Sequence, residues 1–353
     1  MTSQTPDFVF NRPAALIAAL PAVLGFAPVK SLVLVGIDRG QLGAVMRVDL
    51  GPCLDGELEH LVDVASAAQT DAVIAVIVDA EGARCPMCND EYQQMCADLG
   101  ELLADNDVQL TAVHVVDRIA EGGRWHCVDG CGAGGRIDDP GASPLSVAAV
   151  LDGRRLYGSR SEMQAVIDLD AERDQPAIAR AVAALAGGGG DAARAANPEA
   201  ASRRALEDTL AAVHRVGAGD VLTDVELAAL AYALTDITVR DALYGLAIGE
   251  SADQAESLWA VLSRALPAPW RAEALTLLAF FAYVRGDGPL AGVALEQALC
   301  IDETHRMAGM LDDALHSGLR PQHIRRLALT GYRLAERIGV GLPPRRHSGR
   351  AAG

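Results

Sequence analysis

Cysteine is the residue type in this chain whose spacing points most directly to chemistry. Four of the seven cysteines fall in two pairs. Cys85-Pro-Met-Cys88 has the spacing by which two sulfurs reach one tetrahedral ion, and Trp125-His126-Cys127-Val-Asp-Gly-Cys131 offers a second pair together with an imidazole. A structural zinc held by Cys85, Cys88, Cys127 and Cys131, with His126 as a substitute ligand, is the corresponding expectation. Reduced thiols in and around a loop are the plainer one. The pairs lie farther apart than in a compact zinc finger, so the fold must bring them together. Redox chemistry is a third reading: Cys85 and Cys88 sit between a predicted strand and a predicted helix, where a helix N-terminus favours the thiolate, although Asn89-Asp90-Glu91 place carboxylates in the same turn.

A second grouping comes from strand ends. Asp49, Asp79 and Asp117 each close a predicted strand, and if those strands run the same way the three carboxylates share one edge of the sheet, where open α/β sheets bind ligands. They are candidate cofactor-binding residues, as a polar pocket or as hard oxygen ligands for Mg²⁺. Ordinary turn and helix capping is the competing role. Other chemistry finds little support. Lys30 is the sole lysine, and in Gly25-Phe-Ala-Pro-Val-Lys30-Ser31 the glycine before the lysine is missing and a strand follows, so no P-loop is expected. There is no Gly-x-Ser-x-Gly elbow, no His-Glu-x-x-His and no EF-hand loop, and His60, His114, His214, His305, His316 and His323 are scattered.

These residues need elements to position them. Ser31–Ile37 and Gly43–Leu50 read as a hairpin about Asp38-Arg39-Gly40. Leu58, Leu61, Val62, Ala65 and Ala68 recur at helical spacing, 71–79 is an apolar strand, Tyr92 to Leu103 form a second helical stripe, and 108–117 makes the next strand. The expected class is α/β: an N-terminal mixed, partly parallel sheet with flanking helices and one antiparallel edge strand, over residues 1–170. The run Ala186-Gly-Gly-Gly-Gly-Asp191 suggests a Gly-rich linker region, 171–198. From 199 to 340 every segment is Ala- and Leu-rich at helical period, and a flexible basic tail follows over 341–353. Within the helical half, Leu275 to Ala298 about Gly286-Asp287-Gly288 resembles a tetratricopeptide-type hairpin, and Leu243 to Pro267 supplies a weaker copy 36 residues earlier, so a TPR-like helical domain is expected.

Length and charge set the bounds. At 353 residues, against roughly 150 for a typical domain, the chain holds about two domains. Its net charge of −17 repels nucleic acid and anionic membrane over most of the surface, so nucleic-acid binding is unlikely. The longest apolar stretch, Ala14–Val29, is too short to span a bilayer, is broken by Pro21 and Pro28, and has no basic leader; neither a membrane span nor a signal peptide is expected, and the location is read as cytoplasmic.

Arg12-Pro13-Ala14, Leu24-Gly25-Phe26-Ala27-Pro28 before Ser31-Leu-Val-Leu-Val35, Arg47-Val-Asp-Leu50 and the Trp125/Cys127/Cys131 cluster together resemble an actinobacterial family known only as domain of unknown function 4192. The likeness runs on through Ala279–Leu299 to Gly318-x-x-Pro321. It implies an actinobacterial cytoplasmic protein and carries over no catalytic residue. Cys85 and Cys88 fall outside the family pattern, and Gly132-Ala133-Gly134 stand where proline-containing sequence would be expected. The function expected from all of this is a non-catalytic interaction or adaptor protein that takes a protein or peptide partner on its helical half, with Trp259, Trp270 and Tyr283 as anchors. Arg325, Arg326, Arg333 and Arg337, ahead of Arg345, Arg346 and Arg350, form a basic helix face and tail suited to solvent or an acidic partner. The alternative is an enzyme or a ligand- or metal-binding protein that uses the acidic and cysteine-bearing sheet edge.

Overall fold

A computed structural model describes residues 12–51, 54–68, 70–151 and 154–346. Arg350 and the rest of the tail from 347 lie outside the described residues, as does Cys53. The chain divides into two compact units: one holds the chain to Glu162 with His316–Gly318, the other Met163–Leu315 with the chain from Leu319.

The first unit is an α/β layer. Its elements are α1 (Pro13–Leu24), β1 (Ser31–Asp38), β2 (Gln41–Asp49), α2 (Leu54–Ala67), β3 (Ala72–Val78), α3 (Pro86–Ala104), β4 (Gln109–Val116), β5 (Arg124–Cys127), β6 (Gly134–Arg136) and α4 (Pro144–Leu151). The six strands lie in the order β2-β1-β3-β4-β5-β6. Strand β1 is antiparallel to both β2 and β3, β3 and β4 are parallel, and β5 and β6 continue antiparallel. The β1–β2 turn has Arg39 at φ 49° and Gly40 at φ 75°, the paired positive values of a hairpin whose twist suits its strands.

One sequence expectation is corrected here. The antiparallel strand is not at the edge: β1 lies between β2 and β3, and β2 forms the border. Burial gives the reason. Ser31 to Gly36 are all buried, whereas β2 is half-exposed throughout, and a strand with no exposed residue over its first six positions needs neighbours on both sides. Strands β5 and β6 were not foreseen, because Gly134-Gly135-Arg136 carries no apolar alternation.

Alternate residues of the sheet face the helices. Leu32, Leu34, Val73, Ala75, Ile77 and Val115 pack with Leu58, Leu61, Val62 and Ala65 of α2 and with Tyr92, Cys96, Leu99 and Leu103 of α3. Val33, Val35, Ile74 and Val76, of the opposite parity, are buried as well, so both faces are covered. Each such side chain contributes about 1.5–3 kcal/mol relative to exposure. Because β2, β3 and β4 run the same way, with Ser31 opposite both Asp49 and Val78 and Val78 opposite Val116, the chain leaves all three along one rim.

In the second unit, after α5 (Arg160–Gln164) at the boundary, come α6 (Gln175–Leu185), α7 (Asp191–Ala196), α8 (Pro198–Gly217), α9 (Asp224–Leu234), α10 (Ile237–Leu243), α11 (Ala252–Ala265), α12 (Trp270–Arg285), α13 (Gly288–Ile301), α14 (Arg306–His316) and α15 (Pro321–Arg337). The glycine run 186–190 joins α6 to α7 as one wide, kinked turn, with Gly189 at φ 101°. Helices α12 and α13 form a hairpin. Gly286 ends α12 at φ 89°, a conformation that favours glycine, and Asp287 caps α13 by accepting the Leu290 N–H at 3.2 Å. Thirty-six residues earlier, α10 leads through a tight turn over 244–248 into α11, but α10 packs on α15 and α8 while α11 packs on α12 and α8. The expected anchors are corrected: Trp259 is fully buried against Phe281 at 6.0 Å, and Tyr283 is buried, its hydroxyl donating to the carbonyls of Ala314 (3.0 Å) and Leu319 (2.7 Å). Helical packing consumes both, and Trp270 is half-buried. Among the described residues no helix is long and apolar enough to cross a membrane.

Candidate functional site

Asp49, Asp79 and Asp117 all reach the rim, and each meets local partners there. Asp49 pairs with Arg47 of its own strand, whose Nε donates to Ser31 Oγ (2.9 Å) and whose guanidinium lies over the buried Phe26 ring at 5.7 Å. Asp79 accepts the Glu81 N–H (3.0 Å) on Oδ1 and the Tyr92 hydroxyl (2.7 Å) on Oδ2. Burial alone would raise its pKa, but the Tyr92 hydroxyl and the Gly82 and Glu81 amides outweigh that and hold it below the usual aspartate value. Burial, then Asp79 itself, push the Tyr92 phenol upward. Gly82 makes this contact possible: a Cβ there would stand 2.1 Å from Tyr92 Oη. Asp117, 5% exposed, accepts the Arg124 N–H at 2.8 Å, with Arg84 Nη2 at 3.5 Å and Arg118 Nη1 at 3.4 Å from its other oxygen. Among the described residues the three carboxylates do not gather into one metal-ligand cluster.

What does gather at this rim is arginine. A cleft of about 870 Å³ is lined by Arg84, Arg118, Arg124 and Arg136, with Asp117 as the sole carboxylate among its lining residues and with Trp125 and His126 alongside. The chain supplies these guanidiniums from the turn after β3, the turn after β4, the start of β5 and the end of β6. Strand β5 brings Arg124 because Asp117 and Arg124 exchange hydrogen bonds, continuing the β4–β5 ladder past its end. The Trp125 Nε1 is buried and has no hydrogen-bond partner. Guanidinium is weakly hydrated and forked, suited to carboxylate or phosphate oxygens, so the cleft can hold an anion against the net charge of the chain. Gly130, Gly132 and Gly135 have the spacing of a dinucleotide fingerprint, but Gly135 lies within β6 and these glycines open no helix, so no helix N-terminus meets a phosphate there.

The four paired cysteines occupy two places. Cys85 is the N-cap of α3, with Pro86 in its first turn. It makes no side-chain cap hydrogen bond, but the nearby Cys88 amide and then the Cys88 thiol favour its thiolate and hold it below the ordinary thiol pKa. Cys88 is held above that value first by the neighbouring Cys85 sulfur, with desolvation adding. Cys127, Asp129 and Cys131 form the one described group whose ligand atoms all lie within 4.8 Å of one another. Cys85 and Cys88 are outside it. Cys131 N–H donates to Asp129 Oδ1 (3.0 Å), closing the turn, and burial pushes Cys127 up to about 11. His114, which pairs with Cys127 across β4 and β5, points Nδ1 at its sulfur at 3.6 Å. His126, the expected substitute ligand, instead meets Asn89 Oδ1 at 3.0 Å. The first turns of α3 hold this segment, because Asn89 and Gln93 both donate to the Val128 carbonyl. Sequence reasoning missed the arginine cluster, His114 and Tyr92: the arginines are scattered along the chain, and only register aligns His114 with Cys127.

The second unit carries its own basic groove, about 570 Å³, lined by Ile248, Arg325, Arg326, Leu329, Pro344, Arg345 and Arg346. Arg325 is tied to the Val284 carbonyl (3.0 Å) and Arg346 to Asp253 (2.5 Å).

Residues 13–322 match the model of a family described as a domain of unknown function (DUF4192). No curated protein and no solved structure matches the chain.

Proposed function

We infer that this chain, which belongs to the DUF4192 family, binds an anionic small molecule, bearing carboxylate or phosphate groups, at the rim of its sheet. The observation that carries the reading is the convergence of Arg84, Arg118, Arg124 and Arg136 on one cleft. Asp117, nearly buried, lies 3.5 Å from Arg84 and 3.4 Å from Arg118, so one carboxylate faces four guanidiniums and the cleft stays positive. The test is thermal unfolding of the full chain with inorganic phosphate, pyrophosphate and citrate. A ligand at a hundred times its Kd stabilises the folded state by about 2.7 kcal/mol, and Arg124→Ala with Arg136→Ala should abolish that gain. Equal stabilisation of wild type and the double variant would overturn the reading.

The adaptor reading keeps one specific support, the basic groove beside α15. Its arginines and Leu329 suit an acidic peptide carrying an apolar side chain. Repeat-like, TPR-like packing around the α12–α13 hairpin, with α11 against α12, belongs to that reading. A structural zinc would take Cys127, Asp129 and Cys131 in place of the four-cysteine set. The six described cysteines are free thiols, which supports a cytoplasmic location, and an actinobacterial source is what the resemblance implies.

A further inference from the structure

We propose that Cys85 and Cys88 form a thiol–disulfide exchange site, reducing an external disulfide at the mouth of the β3–α3–β4 unit. Placement comes first. The pair opens a 19-residue helix at the end of interior strand β3, and α3 leads into the parallel neighbour β4, so the C-x-x-C begins the helix of a βαβ crossover. Contact comes second. Cys85 stands at the N-cap, beside the first-turn amides of Met87 and Cys88 and three residues from the Cys88 thiol, and these groups favour a thiolate there although Asp90 and Glu91 share the turn. Access comes third. Both cysteines are half-exposed, and Met87 between them is 73% exposed, leaving an apolar contact for an incoming disulfide.

The two sulfurs differ in role. The Cys85 sulfur first, then desolvation, with Glu91 and Asp79 adding, oppose ionisation of Cys88, so Cys85 at the N-cap is the nucleophile and Cys88 the resolving thiol. Cys85 thiolate attacks one sulfur of R–S–S–R′; the Cys85–S–R bond forms, the S–S′ bond breaks, and R′–S⁻ leaves to be protonated. Cys88 then loses its proton and attacks Cys85 Sγ; the internal disulfide forms and R–S⁻ leaves and is protonated. Two thiols are oxidised and one external disulfide is reduced, a transfer of two electrons with no further reactant. The residue before Cys85 is Arg84, which lines the arginine cleft, so an anionic disulfide is the favoured substrate. That preference rests on the anion-binding reading; exchange itself does not.

The experiment uses the full, reduced, chelator-treated chain, with oxidised glutathione as anionic probe and cystamine as cationic probe, followed by acid quench and mass spectrometry. Wild type should form the Cys85–Cys88 disulfide, Cys88→Ser should accumulate a stoichiometric glutathione adduct on Cys85, and Cys85→Ser should give no adduct on Cys88. Cys85 should react faster than exposed Cys300, because the first turn of α3 favours its thiolate. Reaction at Cys85 no faster than at Cys300, or no adduct in Cys88→Ser and in a second variant, Cys88→Ala, would overturn the proposal. Glutathione disulfide outpacing cystamine, with the difference lost in Arg84→Ala, supports the substrate class; equal rates with both probes remove that class and leave exchange standing.

Discussion

Asp117 sets one buried carboxylate among guanidiniums that are mostly in solvent, and this balance governs what the cleft can hold. Asp117→Asn keeps an acceptor for the Arg124 N–H but removes the charge opposite Arg84 and Arg118. It should lower stability by about 1–2 kcal/mol, read by urea unfolding, and tighten phosphate or pyrophosphate binding severalfold, read by calorimetry. Gly82→Ala acts elsewhere on the same rim. Its methyl would meet Tyr92 Oη and Asp79 Oδ2, and since Tyr92 is core, relief must come from losing the Tyr92–Asp79 hydrogen bond. A cost of about 2–3 kcal/mol in urea unfolding is expected. For the metal reading, addition of Co²⁺ to chelator-treated protein should produce a thiolate charge-transfer band that Cys131→Ser and Asp129→Asn weaken and that Cys85→Ser leaves unchanged.

Helices α12, α13 and α14 show how buried ions hold elements together. Asp287 caps α13 and pairs with Arg285 at 3.0 Å while nearly inaccessible; Asp287→Ala removes the cap and leaves a buried guanidinium short of one partner, for an expected loss of about 2–4 kcal/mol in chemical unfolding. On α12, Glu273 meets Arg240 at 3.0 Å and His305 at 3.2 Å. His305 Nδ1 accepts the Ala308 N–H, so its proton is on Nε2, facing the carboxylate. Burial alone would raise the Glu273 pKa, but His305 and Arg240 overcome that and hold it low. A depressed folded value means that Glu273 stabilises fully above the unfolded glutamate pKa and loses that contribution as pH falls through the folded value. The stability gap between wild type and Glu273→Gln should therefore be widest near about pH 7 and shrink toward about pH 4, measured by urea unfolding at each pH. Local pattern made many such elements legible: the hairpin from alternation and its Asp-Arg-Gly turn, the α12–α13 junction from Gly286-Asp287, the strands from apolar runs closed by aspartate. The interior place of β1 was not legible, because strand order is set by partners distant in sequence. Nor were β5 and β6, whose glycines carry no hydrophobic signal, and with them went the arginine cleft that they complete.

At the scale of the molecule, 47 acidic residues face 30 basic ones, yet two clefts in separate units are lined by arginine. Local positive fields inside a negative envelope suit small or segmental anions and repel long polyanions, whose charge must also lie along the acidic surface. Phosphate or pyrophosphate affinity should therefore weaken as sodium chloride rises from about 0.01 to about 0.15 M, since the screening length falls from about 30 to about 8 Å, while a duplex DNA shows no retention in a mobility assay at either salt. The position of β1 also bears on synthesis. It emerges from the ribosome with β2 as a two-stranded ribbon, and its other border stays bare until residues 72–78 follow. During that interval an apolar row of unsatisfied amides and carbonyls is presented to any neighbouring nascent chain. Pausing translation after β2 has left the ribosome and before residues 72–78 have should then raise the insoluble fraction.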